Sequence, residues 1–126
     1  MVVDDEPSVS LLAEMVLASK GYRIVTARDG FQALEIFGKL RNEIQIAVID
    51  FMMPGMDGAT LLRELRRINP RLPIVIISGF TTQDQLGALV GAGACGFFPK
   101  PLAPVKLLAG IREALDAAAS DGGSGS

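Results

Sequence analysis

The sequence predicts an α/β fold built on a parallel sheet, and two patterns carry that prediction. Short runs of β-branched and other apolar residues alternate five times with segments of helical period. Two of these runs, residues 46–49 and 74–77, are apolar throughout, as in strands that are buried on both faces. Because parallel neighbours need crossover connections, this order implies helices on both sides of the sheet.

The elements can be placed along the chain from period changes and turn signals. We predict strands at residues 1–3, 22–27, 44–50, 74–77 and 96–98. The predicted helices cover residues 8–20, 30–40, 58–68, 82–90 and 104–118. Each strand is followed by a helix after a short loop, so the chain reads as five successive strand-helix units.

Three of the helices carry clear apolar stripes. The first has Leu11, Leu12, Met15 and Val16 at helical spacing and ends at Gly21, where a left-handed cap favours glycine. The third ends before a proline, and the third and fifth show the same spacing (Leu61, Leu62, Leu65, Ile68; Leu108, Ile111, Leu115). We expect all three stripes to pack into the core.

Composition excludes several classes of function. The 126 residues have a net charge of −2, and Lys and Arg cluster only at 63–71 on a predicted surface helix, which disfavours direct nucleic-acid binding. No run reaches the about 18 apolar residues of a membrane-spanning helix. Acidic residues at positions 4–6 stand where a signal peptide would be basic, so we expect a cytoplasmic protein without membrane attachment.

Histidine and cysteine content narrows the chemistry further. The chain has no histidine, which excludes a histidine-based zinc site, a histidine general base and a phosphohistidine relay within it. Any phosphoryl donor must therefore be another molecule or another domain. The single cysteine, Cys95, is flanked by alanine and glycine, and we expect a small buried residue rather than a reactive thiol.

Polar side chains stand where the predicted strands end. Asp4 and Asp5 follow the first strand, Asp50 closes the third, Ser78 follows the fourth and Lys100 follows the fifth. Each one alone has a simpler explanation as a helix cap, a turn residue or a solvated charge. In open parallel sheets, however, ligands bind outside the carboxyl ends of the strands. The sequence therefore predicts a site at this edge.

Gathering three carboxylates there requires compensation. Two carboxylates about 4 Å apart repel by roughly 4 kcal/mol at an effective dielectric constant near 20, more than an ordinary surface ion pair contributes. A cation, a neighbouring lysine or a proton on one acid must offset this repulsion. Oxygen ligands with positions left for water suit Mg²⁺ or Mn²⁺ rather than zinc or copper.

Four sequence blocks, in order and at strand ends, carry a family resemblance. They are Val2-Val3-Asp4-Asp5-Glu6-Pro7, Asp50-Phe51-Met52-Met53-Pro54-Gly55-Met56-Asp57-Gly58, residues 73–79, and Phe98-Pro99-Lys100-Pro101. With them the chain resembles the receiver domain of bacterial two-component response regulators and hybrid histidine kinases. The resemblance implies a flavodoxin-like, doubly wound (βα)5 sandwich of three layers, with strand order 2-1-3-4-5.

The resemblance also implies the roles of individual residues. Asp50 would accept a phosphoryl group from a histidine kinase, a histidine phosphotransfer domain or a small acyl phosphate, so the domain would catalyse its own phosphorylation and dephosphorylation without being a classical enzyme. Asp5 would bind Mg²⁺ directly, Asp4 at least through water, and the backbone carbonyl of Met52 would complete the protein ligands. Lys100 would pair with Asp50 and then with a phosphoryl oxygen.

Further positions match the switching apparatus of the family. Ser78 matches the switch hydroxyl and Phe97 the switch aromatic, although Phe97 is equally compatible with a plain core residue. Met52 and Phe80 occupy positions that tune hydrolysis of the aspartyl phosphate. Both are bulky and apolar, so we expect a long-lived phosphorylated state. The Lys100-Pro101 peptide matches one that is usually cis.

Partners and boundaries follow from the same resemblance. The output partner would be a protein bound at the face of the fourth helix, fifth strand and fifth helix, and the chain itself a monomer or weak homodimer. We expect a receiver domain at 1–118 and a flexible Gly/Ser tail or linker at 119–126. Two other readings stay open: a pseudo-receiver that binds proteins without being phosphorylated, and a Mg²⁺-dependent phosphohydrolase with an aspartyl nucleophile. The second usually needs another acid where Met52 stands.

Overall fold

The computed structural model of the chain describes residues 1–79 and 82–124. The strands are β1 (Val2–Val3), β2 (Thr26–Ala27), β3 (Ala47–Asp50), β4 (Ile74–Ser78) and β5 (Gly96–Pro99). The helices are α1 (Pro7–Ala18), α2 (Gly30–Leu40), α3 (Gly58–Ile68), α4 (Gln83–Gly91) and α5 (Pro104–Ser124). All paired strands are parallel, and their order in the sheet is β2-β1-β3-β4-β5, which confirms the predicted flavodoxin-like fold.

Strand residues alternate between two hydrophobic cores, one on each face of the sheet. Ile49 belongs to the core under α2, α3 and α4, which is built around a larger group (Phe37, Leu61, Leu62, Leu65, Leu89). Val48, its neighbour in β3, belongs to the opposite core under α1 and α5, with Ala13, Leu17, Leu107 and Ile111. A central strand therefore needs apolar residues at every position, which explains the unbroken runs in the sequence.

The first three strands are shorter than the sequence pattern predicted, and β3 begins at residue 47 rather than 44. The strand expected at 22–27 pairs only over Thr26–Ala27, because β1 offers just Val2 and Val3 as partners. The amino terminus of Met1 donates a hydrogen bond to the carbonyl of Ile46 at 2.9 Å. The last helix, in contrast, is longer than predicted: α5 continues to Ser124, beyond the expected end at residue 118. Three consecutive alanines at 117–119 favour that continuation.

Expectations about burial are wrong at Leu11 and Met15 in α1, at Ile68 in α3, which is 39% exposed, and at Cys95. Leu11 and Met15 are 57% and 63% exposed, since α1 buries Ala13 and Leu17 instead and leaves half of the predicted stripe in solvent. Cys95, which directly precedes β5, is exposed as well.

Local capping fixes the helix starts that border the site. The carboxylate of Asp57 accepts a hydrogen bond from the backbone nitrogen of Thr60 at 2.8 Å and so caps the start of α3. Thr82 and Gln85 form a reciprocal capping box at the start of α4. At the far end of α1, Gly21 has a φ of +89°, which confirms the predicted left-handed turn.

Arg66 ties the lower ends of two strands to α3. Its guanidinium donates to the carbonyls of Pro70, Leu72 and Gly93 at 2.8, 2.6 and 2.6 Å. These carbonyls come from the loops that lead into β4 and β5. An arginine counted among surface charges in the sequence is thus a structural clamp.

Across the part of the chain that the structure describes, no helix has both the length and the hydrophobicity needed to cross a membrane.

Two helical glycines provide a test of this packing. A Cβ added at Gly110 in α5 would collide with the ring of Phe98, whereas one added at Gly38 in α2 meets nothing within 4 Å. Gly110→Ala should lower the free energy of unfolding by about 1–3 kcal/mol through overpacking. Gly38→Ala should raise it by about 0.5–1 kcal/mol through helix propensity. Urea unfolding of both variants measures the difference, and equal stabilisation by both would contradict this packing.

Candidate functional site

The predicted site residues meet at the carboxyl edge of the sheet. Asp4 follows β1, and its backbone nitrogen donates to the carbonyl of Ala27 at 3.0 Å. Asp50 is the last residue of β3, and Ser78 is the last residue of β4. Lys100 follows β5, and its nitrogen donates to the carbonyl of Ser78 at 3.0 Å. Parallel pairing therefore brings together side chains that are up to 96 positions apart in sequence.

Three carboxylates form the acidic part of the site. Asp4, Asp5 and Asp50 each offer an oxygen, and these oxygens lie within 4.8 Å of one another. Asp4 and Asp50 are only 2% and 1% exposed, whereas Asp5 faces solvent. Such a set of hard oxygen donors, open on one side, fits a divalent cation that retains water ligands.

Backbone amides orient the two buried acids. The nitrogen of Glu6 donates to Asp4 Oδ1 at 2.8 Å, and the nitrogen of Met52 donates to Asp50 Oδ1 at 3.2 Å. Among the described residues, Asp4 Oδ2 is buried and accepts no hydrogen bond, although it lies 3.4 Å from Lys100 Nζ. A buried carboxylate oxygen without a hydrogen bond is costly. It is therefore a position at which a cation or its bound water fits.

The ammonium group of Lys100 contacts three acids of the site. Lys100 Nζ lies 2.8 Å from Glu6 Oε1, 3.2 Å from Asp50 Oδ2 and 3.4 Å from Asp4 Oδ2. The side chain of Lys100 is 16% exposed, so these contacts are partly shielded from water. The ammonium offsets part of the repulsion among the carboxylates, but a single positive charge cannot neutralise all of them.

Burial and neighbouring charges shift the pKa values of Asp4, Asp50 and Lys100. Burial, followed by the neighbouring charge of Asp4, raises the pKa of Asp50 from 3.8 to about 6 against the opposing effect of Lys100. Burial also raises the pKa of Asp4. Burial alone would lower the pKa of Lys100, but the hydrogen bonds to Glu6 and Asp50 and the charge of Asp4 outweigh it and raise the pKa above its usual value. Lys100 is thus charged throughout the physiological range.

The loop after Asp50 is built for a close approach. Gly58, the first residue of α3, lies against the backbone of Asp50 and Phe51 so tightly that an added Cβ would overlap both. Its nitrogen donates to the carbonyl of Phe51 at 2.9 Å. Gly55 has a φ of +81°, which supplies the turn between them. Glycine is required at both positions, and the loop holds the acceptor residue in place.

The remaining predicted residues lie around this centre. Met52 is 65% exposed beside the acids, and Phe97 is half-buried and packs against the core under α2, α3 and α4. Ser78 is half-buried at the end of β4. The peptide between Lys100 and Pro101 is cis, as predicted. Phe80, the second residue expected to tune hydrolysis, lies outside the described residues.

Sequence reasoning missed the role of Glu6. Glu6 occupies the N-cap position of α1, but its side chain forms no cap hydrogen bond. Its carboxylate instead contacts Lys100, which is 94 positions away in sequence. The sequence feature that indicates this contact is the run of three acids at 4–6, because a third carboxylate beside two site acids needs a counter-charge of its own.

Comparison with known proteins assigns this arrangement to a family. A sequence model described as the response regulator receiver domain matches residues 1–112. The chain belongs to this receiver domain family. Membership of this family implies phosphoacceptor signalling.

Curated relatives place receiver domains of this kind in longer proteins. The domain is 37% identical over 116 residues to the sensor kinase CckA of Brucella abortus, covering 92% of this chain and 12% of that kinase. It is 34% identical over 125 residues to the response regulator MprA of Mycolicibacterium vanbaalenii, covering 99% of this chain and 53% of MprA. The receiver domain thus spans about half or less of these relatives.

Solved structures agree on the fold. A CheY-like receiver domain protein from Methanospirillum hungatei superposes with a TM-score of 0.86 at 26% identity, covering 95% of this chain and 94% of that one. NtrX from Brucella abortus, in complex with ADP, gives a TM-score of 0.91 at 28% identity, covering 98% of this chain and 28% of that one. Both structures therefore share the fold of this chain.

The raised pKa of Asp50 leads to a stability prediction. The protonated carboxyl stabilises the fold below about pH 4, and this contribution is lost as the pH rises through about 6. In EDTA at pH 7, Asp50→Asn should therefore raise the free energy of unfolding by about 1–3 kcal/mol. Urea unfolding between pH 3.5 and about 7.5 follows the difference, which should shrink towards acid pH. A variant no more stable than the native protein at pH 7 would contradict the inferred cost of the buried charge.

Proposed function

We propose that Asp50 is the phosphoacceptor of this receiver domain, and that transfer to it from a histidine kinase or histidine phosphotransfer domain requires Mg²⁺ or Mn²⁺. The observation that carries the proposal is the buried Asp50 carboxylate, held between Asp4 and the ammonium of Lys100 at the open edge of the sheet. Asp4, Asp5, Asp50 and the backbone carbonyl of Met52 would hold the ion. When bound, the ion would supply positive charge for the carboxylates and for the phosphoryl oxygens.

The chain's own residues account for the chemistry of transfer. A carboxylate oxygen of Asp50 attacks phosphorus, and the bond from phosphorus to the donor nitrogen or oxygen breaks, with its electron pair leaving on the donor. The amide of Met52 and the ammonium of Lys100 orient the two oxygens of Asp50 before attack. Positioning and charge neutralisation are the main requirements of phosphoryl transfer.

Switching would then pass from the acceptor to a neighbouring surface. Ser78 ends the strand beside Asp50 and would hydrogen-bond a phosphoryl oxygen, while Phe97 lies next in the sheet, paired in register with Ile76. We place the output surface on α4, β5 and α5. Exposed apolar side chains on two of these elements support that placement, since Val90 in α4 is 57% exposed and Val105 in α5 is 79% exposed.

Labelling with acetyl phosphate tests the acceptor. In the presence of Mg²⁺, intact-protein mass spectrometry should show the addition of one phosphoryl group, and EDTA should abolish it. Asp50→Asn should take up no phosphoryl group, and Asp5→Asn should require far more Mg²⁺, because it loses a charged ligand. Asp57→Asn is the matched control, because asparagine preserves the cap of α3. Absence of labelling in the native protein would identify a phosphorylation-independent binding module instead.

The lifetime of the phosphorylated state provides a second test. Met52 and Phe80 cannot orient an attacking water, so Met52→Asn and Phe80→Glu should each accelerate decay of the aspartyl phosphate, by a few fold up to about 10²-fold. Met15→Asn on α1, at a position 63% exposed against 65% for Met52, is the matched control. Decay that is unchanged or slower in both site variants would refute the predicted long lifetime.

A further inference from the structure

Glu6 makes the shortest contact that the Lys100 ammonium has with any acid of the site. Glu6 Oε1 lies 2.8 Å from Nζ, against 3.2 Å for Asp50 and 3.4 Å for Asp4. The side chains of Asp4 and Asp50 are 0% and 2% exposed, whereas that of Glu6 is 54% exposed. Lys100 therefore bridges two buried acids and one acid at the solvent side of the site.

The backbone holds Glu6 in a position suited to this contact. Its nitrogen is fixed by Asp4 Oδ1, and its carbonyl accepts hydrogen bonds from the nitrogens of Val9 and Ser10 at the start of α1. Although Glu6 is the N-cap residue, its side chain forms no cap hydrogen bond, so the carboxylate extends to Lys100 instead. The contact joins the loop after β1 to the loop after β5.

We propose that Glu6 is a positioning residue that holds Lys100 in the unphosphorylated state and that a phosphoryl oxygen displaces it. The inference deepens the proposed function and rests on it. Lys100 Nζ donates hydrogen bonds to Glu6 and Asp50 and also lies 3.4 Å from Asp4 Oδ2. A phosphoryl oxygen on Asp50 competes with these partners for the single ammonium. The contact to Glu6 breaks at the lowest cost, because water can solvate an exposed carboxylate and cannot reach the buried ones.

Glu6 thus slows phosphorylation by competing with the incoming group for Lys100. Removing that competition should increase the rate constant for labelling. Two variants distinguish an effect of the contact between Glu6 and Lys100 from an effect of the charge of Glu6 alone. Glu6→Gln removes the charge and weakens the hydrogen bond, whereas Glu6→Asp keeps the charge but shortens the side chain, and aspartate at an N-cap can turn to the helix amides instead.

The experiment measures initial rates of labelling by acetyl phosphate, with the Mg²⁺ affinity of each variant determined first so that all rates are compared at saturating Mg²⁺. Both Glu6→Gln and Glu6→Asp should be faster than the native protein by about two- to fivefold, the size of effect expected for one partly exposed ion pair. Glu14→Gln, at an exposed position on α1, makes the same change in net charge and should match the native rate.

Each other outcome overturns the inference in a distinct way. Acceleration by Glu6→Gln alone would mean that the field of the carboxylate, not its contact with Lys100, repels the donor. Native rates or slower rates in both variants would show that Glu6 does not compete for Lys100. If the native protein itself takes up no phosphoryl group, the proposed function fails, and that result is visible before any variant is compared.

Discussion

The arrangement of the site depends on one ammonium group among acids that repel one another. Lys100 contacts Asp4, Asp50 and Glu6, and the two aspartates are almost fully buried. Burial, followed by the neighbouring charge of Asp4, raises the pKa of Asp50 to about 6, and among the described residues one oxygen of Asp4 is buried without a hydrogen bond. The fold tolerates the cost because the strands and their loops fix these residues independently of one another, through backbone pairing and tight glycine contacts.

The same charge imbalance is what makes the site useful. Under the proposed function, the excess of negative charge favours a divalent cation, which a neutral site would bind weakly. Stability and function therefore oppose each other at Asp50, as is common where ionisable groups are gathered for chemistry. Glu6 also takes part, since it accepts a hydrogen bond from Lys100 in the absence of the phosphoryl group, and water can replace this contact.

The sequence predicted the fold well where burial dictates composition. Residues 47–49 and 74–77 of the apolar runs lie in β3 and β4, and helices α2 and α3 begin and end as predicted. The predictions were wrong where the fold buries or pairs only part of an apolar sequence pattern. Half of the α1 stripe is exposed, and most of the segment at 22–27 stays unpaired because β1 is short. Neither failure is visible locally, since each depends on the length or position of a neighbouring element.

For the site, the sequence by itself determined which residues stand at the strand ends, because the strands end where apolar runs give way to Asp4, Asp50 and Ser78. Tertiary structure alone decided how they meet. The distances around Lys100, the solvent-side contact of Glu6 and the clamp formed by Arg66 all join segments far apart in the chain. Such contacts are set by sheet order and by the direction of each side chain, and local sequence patterns do not encode either quantity.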